Sequence, residues 1–94
     1  MHFVYIIYSK SANKYYIGET EDLSVRLTWH NTKEFAASYT SKVSDWEVFF
    51  VIECKDRIQA RKIEAHIKSM KSRTYIENIK KYKDISEKLL QKYS

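Results

Sequence analysis

The sequence predicts an α/β fold of the α+β kind, a small three-stranded antiparallel sheet flanked by helices in the order β-β-α-β-α-α. Three observations carry that prediction. Two short β-branched and aromatic runs lie close together near the N-terminus, and a third follows at 46–54. Apolar residues recur at helical spacing between and after them. The chain has 94 residues, room for one domain.

Residues 2–9, HFVYIIYS, are apolar on both faces, which fits a central strand. Ser11 to Lys14 reads as a turn, and YYIG at 15–18 as the returning strand of a hairpin. Gly18 marks a bend or a close approach. Thr20 is placed to cap a first helix, with Glu21 and Asp22 in its favourable first turn, running to about Asn31. Residues 32–45 show no period and read as a loop, long for so small a domain. WEVFFVIEC at 46–54 is the third strand. Asp56 caps the second helix with Gln59 in the capping-box position, and Ala60, Ile63, Ile67 and Met70 form its apolar stripe. Ser72 caps a third helix, and Ile85, Leu89 and Leu90 continue the helical pattern past a break near Lys83-Asp84. The reading is a domain over residues 1–80 with a helical extension, 81–94, packed on it.

Composition narrows the function classes. The sequence has eight Tyr, four Phe and two Trp, enough to fill a small core and leave tyrosines for polar work. With no Pro and one Gly, it is not a low-complexity chain. The single cysteine, Cys54, makes no internal disulfide and no cysteine-pair zinc site, so a cytoplasmic setting is expected. The apolar run Phe3–Tyr8 is too short to span a membrane and lacks the flanks of a signal peptide. Nothing points to an obligate protein partner. Residues 1–54 hold five Lys/Arg against seven Asp/Glu, whereas residues 55–94 hold twelve against five. A positive field confined to one part of the chain suits a polyanion such as nucleic acid; it also suits a lysine-rich solvated surface.

Several polar residues interrupt apolar faces. Leu23, Arg26, Leu27 and His30 share one helical face. The leucines turn that face to the sheet, so Arg26 needs an anion, a structural carboxylate or an exit to solvent. Glu64 flanks the core-facing stripe of the second helix, where Arg61 or Lys68 is in range for a surface pair. Tyr5 occupies a central strand, and Tyr16 lies on its hairpin partner; a buried phenol requires a hydrogen-bond partner. The four groups are expected to meet on one sheet face.

In this ordered set the chain resembles the GIY-YIG nuclease superfamily, in particular its small standalone bacterial members. The residues that carry the likeness are Phe3-Val4-Tyr5, Tyr16-Ile17-Gly18 eleven residues after Tyr5, Asp22-Leu23, Arg26-Leu27, His30-Asn31 and Glu64. The loop piece Ser38-Tyr39-Thr40 and the strand Trp46 to Phe50 also fit, so the likeness spans roughly residues 1–80. The resemblance implies metal-assisted hydrolysis of phosphodiester bonds in DNA or another nucleic acid. It implies that Glu64 holds one Mg²⁺ (or Mn²⁺), largely hydrated, and that Tyr5 is the general base or orients the attacking water. A tyrosine starts from a pKa of about 10, so base work at neutral pH calls for a lowered value, which Arg26 and the metal are in a position to supply. Tyr16 would position water or phosphate, Arg26 would stabilise phosphoryl charge, and His30 would contact phosphate or transfer a proton.

Gly18, Lys68, Lys71 and Arg73 are the expected backbone contacts, with Lys80, Lys81 and Lys83 as an extension or as ordinary solubilising charge. Tyr39 would stack on a base or pin the loop to the core. Three departures stand out: Phe3 replaces the family's first glycine, Glu19 follows Gly18 where some members carry a basic residue, and the supporting asparagine that many members carry after the glutamate helix has no assigned counterpart, Asn78 being the residue in that region. Two other functions remain open, a catalytically weak or inactive nucleic-acid-binding module on the same fold and a small protein whose basic helices engage an acidic partner.

Overall fold

The structure is a computed structural model in which residues 1–32 and 43–94 are described. Strand β1 (His2–Ser9), strand β2 (Lys14–Thr20), helix α1 (Leu23–Thr32), strand β3 (Trp46–Cys54), helix α2 (Arg57–Met70), helix α3 (Arg73–Lys81) and helix α4 (Lys83–Lys92) follow in that order. The sheet is antiparallel, ordered β2-β1-β3, so the most apolar strand is central. Tyr5 pairs with Gly18 and Val51, and Ile7 with Tyr16 and Val48. A bulge between Ile6 and Ile7 shifts the β3 register.

Alternation along β1 serves two cores. Val4 and Ile6 face Ile17, Ile52, Ala60, Ile63 and Ile67, together with Ile76, Ile79 and Leu89 from the last two helices. Tyr5 and Ile7 face the other way, onto Trp46, Tyr16, Leu23 and Leu27. Helix α1 thus covers one face of the sheet and α2, α3 and α4 cover the other. The terminal helix is tied in further, since the Gln59 side-chain amide donates to Leu90 O at 3.2 Å.

Four local features differ from the sequence reading. The cap of α1 is Asp22, whose carboxylate accepts from Val25 N at 3.1 Å; Thr20 ends β2 and its hydroxyl accepts from Asp22 N at 3.1 Å. The second strand is longer than four residues because hairpin pairing persists from Lys14 to Thr20. Met70 is 45% exposed, beyond the part of α2 that the sheet covers. Beyond α2 there are two helices, α3 and α4, which meet at Tyr82 in extended conformation. Ile79 and Ile85 are six residues apart, out of step with a 3.6-residue period, so the chain must reset for both stripes to face inward. At the start of α2, Asp56 accepts from Gln59 N at 2.8 Å, and Gln59 Oε1 accepts in return from Lys55 N at 2.8 Å.

Candidate active site

The site is built around Tyr5. Its ring lies across the backbone of Gly18, its pairing partner on β2. A Cβ at Gly18 would fall 2.6 Å from Tyr5 Cζ, and closer still to Tyr5 Oη. The backbone at Gly18 has no positive φ, so the glycine is there for space. The nucleic-acid contact expected of Gly18 therefore has a second reading, as the floor on which Tyr5 rests.

Tyr5 is 2% exposed, and its hydroxyl is 2.9 Å from His30 Nε2. His30 reaches it because Leu23 and Leu27 seat the same face of α1 on the sheet. The imidazole is 2% exposed and lies 4.9 Å, centroid to centroid, from the Tyr16 ring. Tyr16 projects from β2 on the same side as Tyr5, with the rings 6.4 Å apart. Asn31, next along α1, clamps the helix to β3: its amide donates to Trp46 O at 3.0 Å, and its carbonyl accepts from Trp46 N at 2.7 Å.

Burial pushes the Tyr5 phenol well above its usual range, Tyr16 adds to the shift, and Arg26 only partly opposes it before Glu64 and Glu19 raise it further. Arg26, one of the two groups expected to lower this pKa, is by itself outweighed by burial. Burial, and then the Arg26 charge, push His30 down to about 4. At neutral pH the pair is a protonated phenol beside a neutral imidazole, whose Nε2 accepts when Tyr5 donates.

Tyr5, Tyr16, Gly18, Glu19, Arg26, Arg57, Arg61 and Glu64 line one open cleft of about 270 Å³. Arg26 comes from α1 and packs over the Trp29 ring at 4.9 Å. Glu64 comes from α2, on the opposite face of the sheet. The groups thus converge at the outer strand β2 rather than on one face. Glu64 pairs with Lys68 Nζ at 3.0 Å, and that ammonium lies 5.8 Å from the Tyr16 ring centroid. Glu19 is held by His2 Nε2 at 2.6 Å and Arg57 Nε at 3.8 Å.

Arg57 and Arg61 had not been singled out as site residues. Their signal was in the sequence, since 57, 61, 64 and 68 recur at i, i+4, i+7 and i+11 beside the apolar stripe. Lys71 and Arg73 lie outside the cleft, beyond the end of α2. Asn78 does not line it either. Tyr39 lies outside the described residues. Among the described residues, no three His, Cys, Asp or Glu side chains gather as a metal-binding cluster. The cleft instead offers the oxygen donors of Glu64 in a polar, water-accessible setting, which fits a hard cation that keeps most of its waters.

No helix among the described residues is long and apolar enough to cross a membrane. No curated protein and no solved structure matches the chain. The family model for the GIY-YIG catalytic domain does match, over residues 1–87, a span that includes every residue of the cleft. The protein with two tyrosines, an arginine and a glutamate gathered at its outer strand therefore belongs to the GIY-YIG family, whose members are nucleases acting on nucleic acids.

Proposed function

We propose that this cleft hydrolyses phosphodiester bonds in DNA with the help of Mg²⁺ or Mn²⁺ held at Glu64. The observation that carries the reading is the meeting of Tyr5, Tyr16, Arg26 and Glu64 in one cleft, with His30 bonded behind Tyr5. A divalent cation bound there would supply Lewis-acid stabilisation of charge on the phosphoryl oxygens. Arg26 binds the phosphate from the α1 side, where a planar guanidinium suits two oxygens at once. Arg57 and Arg61 hold the flanking backbone. Tyr16 orients water against phosphorus.

Proton movement follows from the Tyr5–His30 contact. As the water oxygen bonds to phosphorus, its proton passes to Tyr5 Oη while the phenol proton moves to His30 Nε2. The bond from phosphorus to the leaving oxygen breaks, and that oxygen takes a proton from water in the open cleft. The relay needs no free phenolate, which suits a buried tyrosine. A phosphate paired with Arg26 also offsets the charge that depresses His30, so the imidazole becomes a better base once substrate is present.

The second reading, a binding module with little turnover, is favoured by the Lys68–Glu64 pair, which keeps the carboxylate engaged. Labelled single-stranded, duplex and branched DNA incubated with Mg²⁺ or Mn²⁺ separates the two. Metal-dependent cutting that is lost in both Glu64→Ala and Tyr5→Phe is expected, with Tyr5→Phe slower by about 10²- to 10⁴-fold. Salt-sensitive binding with no cutting of any form would leave the module and remove the catalytic roles.

A further inference from the structure

Helix α2 runs alongside β2 in the opposite direction. Near its start Arg57 reaches Glu19, near its end Lys68 lies over Tyr16, and just beyond it Arg73 reaches Asn13 in the hairpin turn. The cleft occupies the Glu19 end of this pair. At the turn end there is a second depression, of about 350 Å³, bordered by Asn13, Lys14, Tyr15, Lys71 and Arg73. The residues that line the cleft do not reach it.

Two features of the depression go beyond a loose patch of charge. Arg73 is fixed before any ligand arrives: Nη1 donates to Asn13 O at 3.0 Å, Nη2 donates to Asn13 Oδ1 at 2.9 Å, and the guanidinium lies 5.1 Å from the Tyr15 ring centroid. A guanidinium has five N–H donors, so the two bonds to Asn13 leave others for a ligand, in the presence of the Glu77 carboxylate that accepts from the Tyr15 hydroxyl at 3.2 Å. Asn13 and Lys71 are also the two positive-φ non-glycine residues among the described residues, at φ 53 and φ 47. Asparagine tolerates that conformation, but lysine at a left-handed helix C-cap stands where glycine is favoured. A cation, rather than a glycine, thus occupies a less favourable backbone conformation in the lining of the depression.

We infer that Asn13, Lys14, Lys71 and Arg73 form a separate backbone-phosphate subsite, which holds the nucleic-acid strand beyond the cleft and makes it run along β2 towards the hairpin turn. The inference rests on the proposed nucleic-acid cleft and adds a direction to it. Lys71 is seven residues past Glu64, about 10 Å along a helix that rises ~1.5 Å per residue. The subsite therefore addresses a phosphate beyond the one being cut, on the hairpin-turn side.

The test is equilibrium binding of a short labelled DNA strand, and of its duplex, in EDTA across a salt series, which needs no turnover. Lys71→Gly removes the cation and supplies the residue the backbone favours, so its thermal midpoint should equal or exceed that of the wild type. Its slope of log affinity against log salt should fall by about one, and that of Lys71→Gly/Arg73→Gln by about two. Unchanged slopes in folded variants, with wild-type binding intact, would overturn the subsite and leave the cleft standing. No salt-dependent binding by the wild type would overturn both.

Discussion

Tyr5 shows what a single strand position has to satisfy. Its phenol needs a buried partner, which is His30, and its ring needs a floor without a Cβ, which is Gly18. Gly18→Ala is expected to lower stability by about 1–3 kcal/mol, as overpacking does, and to reduce turnover with it. In a Tyr5→Ala background the same change should cost little, and a thermal double-mutant cycle reads the difference. His30 carries a pH signature. Its ordinary pKa of about 6.5 applies in the unfolded chain, and in the fold it falls to about 4. Between those values the unfolded chain binds the extra proton, so stability is full above pH ~6.5 and declines as pH falls towards ~4, by up to about 3 kcal/mol. Urea midpoints measured over that range should fall more steeply for the wild type than for His30→Gln; equal slopes would locate the acid sensitivity elsewhere. The sequence announced a polar pair on the α1 face, but it could not say that His30 meets Tyr5, because that depends on where α1 lands on the sheet, which no local spacing records.

At the scale of elements, α2 does three jobs with two faces and its capped start. Ala60, Ile63 and Ile67 bury it, Arg57, Arg61 and Glu64 furnish the cleft, and Asp56 anchors its start. The stripe and the cap were legible because both depend on local spacing. The side of the sheet on which α2 packs was not, since an antiparallel sheet offers two faces and an amphipathic helix fits either. That is why convergence on one face was expected and convergence around β2 was found. Asp56→Ala should cost about 1 kcal/mol of stability. Because Arg57 is the first residue of the helix, fraying there should also raise KM more than it lowers kcat, a split that steady-state kinetics resolves. The break between α3 and α4 was visible as an out-of-step spacing, and its expected place near Lys83-Asp84 lies one to two residues past the junction at Tyr82.

For the molecule as a whole, two cores share one three-stranded sheet, and the site sits where they adjoin. Arg26 and His30 ride on the core under α1, and Glu64 rides on the core under α2. Small core truncations on either side should therefore disturb catalysis before they unfold the protein. Ile67→Val, outside the cleft and one turn from Glu64, should cost about 0.5–1.5 kcal/mol and reduce turnover more than it weakens DNA binding. Paired cleavage and binding measurements check this, and a fall in both by the same factor would argue against it.

Among the described residues β2 pairs with β1 alone, which places it at an edge of the three-stranded sheet. Such a margin invites a strand from another molecule, and proteins commonly deter that with charge. Here the row of cations from Arg57 to Arg73, proposed above to meet the substrate, lies beside that edge and serves as the deterrent. Variants that neutralise it to weaken DNA binding should also lose colloidal protection and become prone to self-association, with bound nucleic acid acting as a solubilising guest.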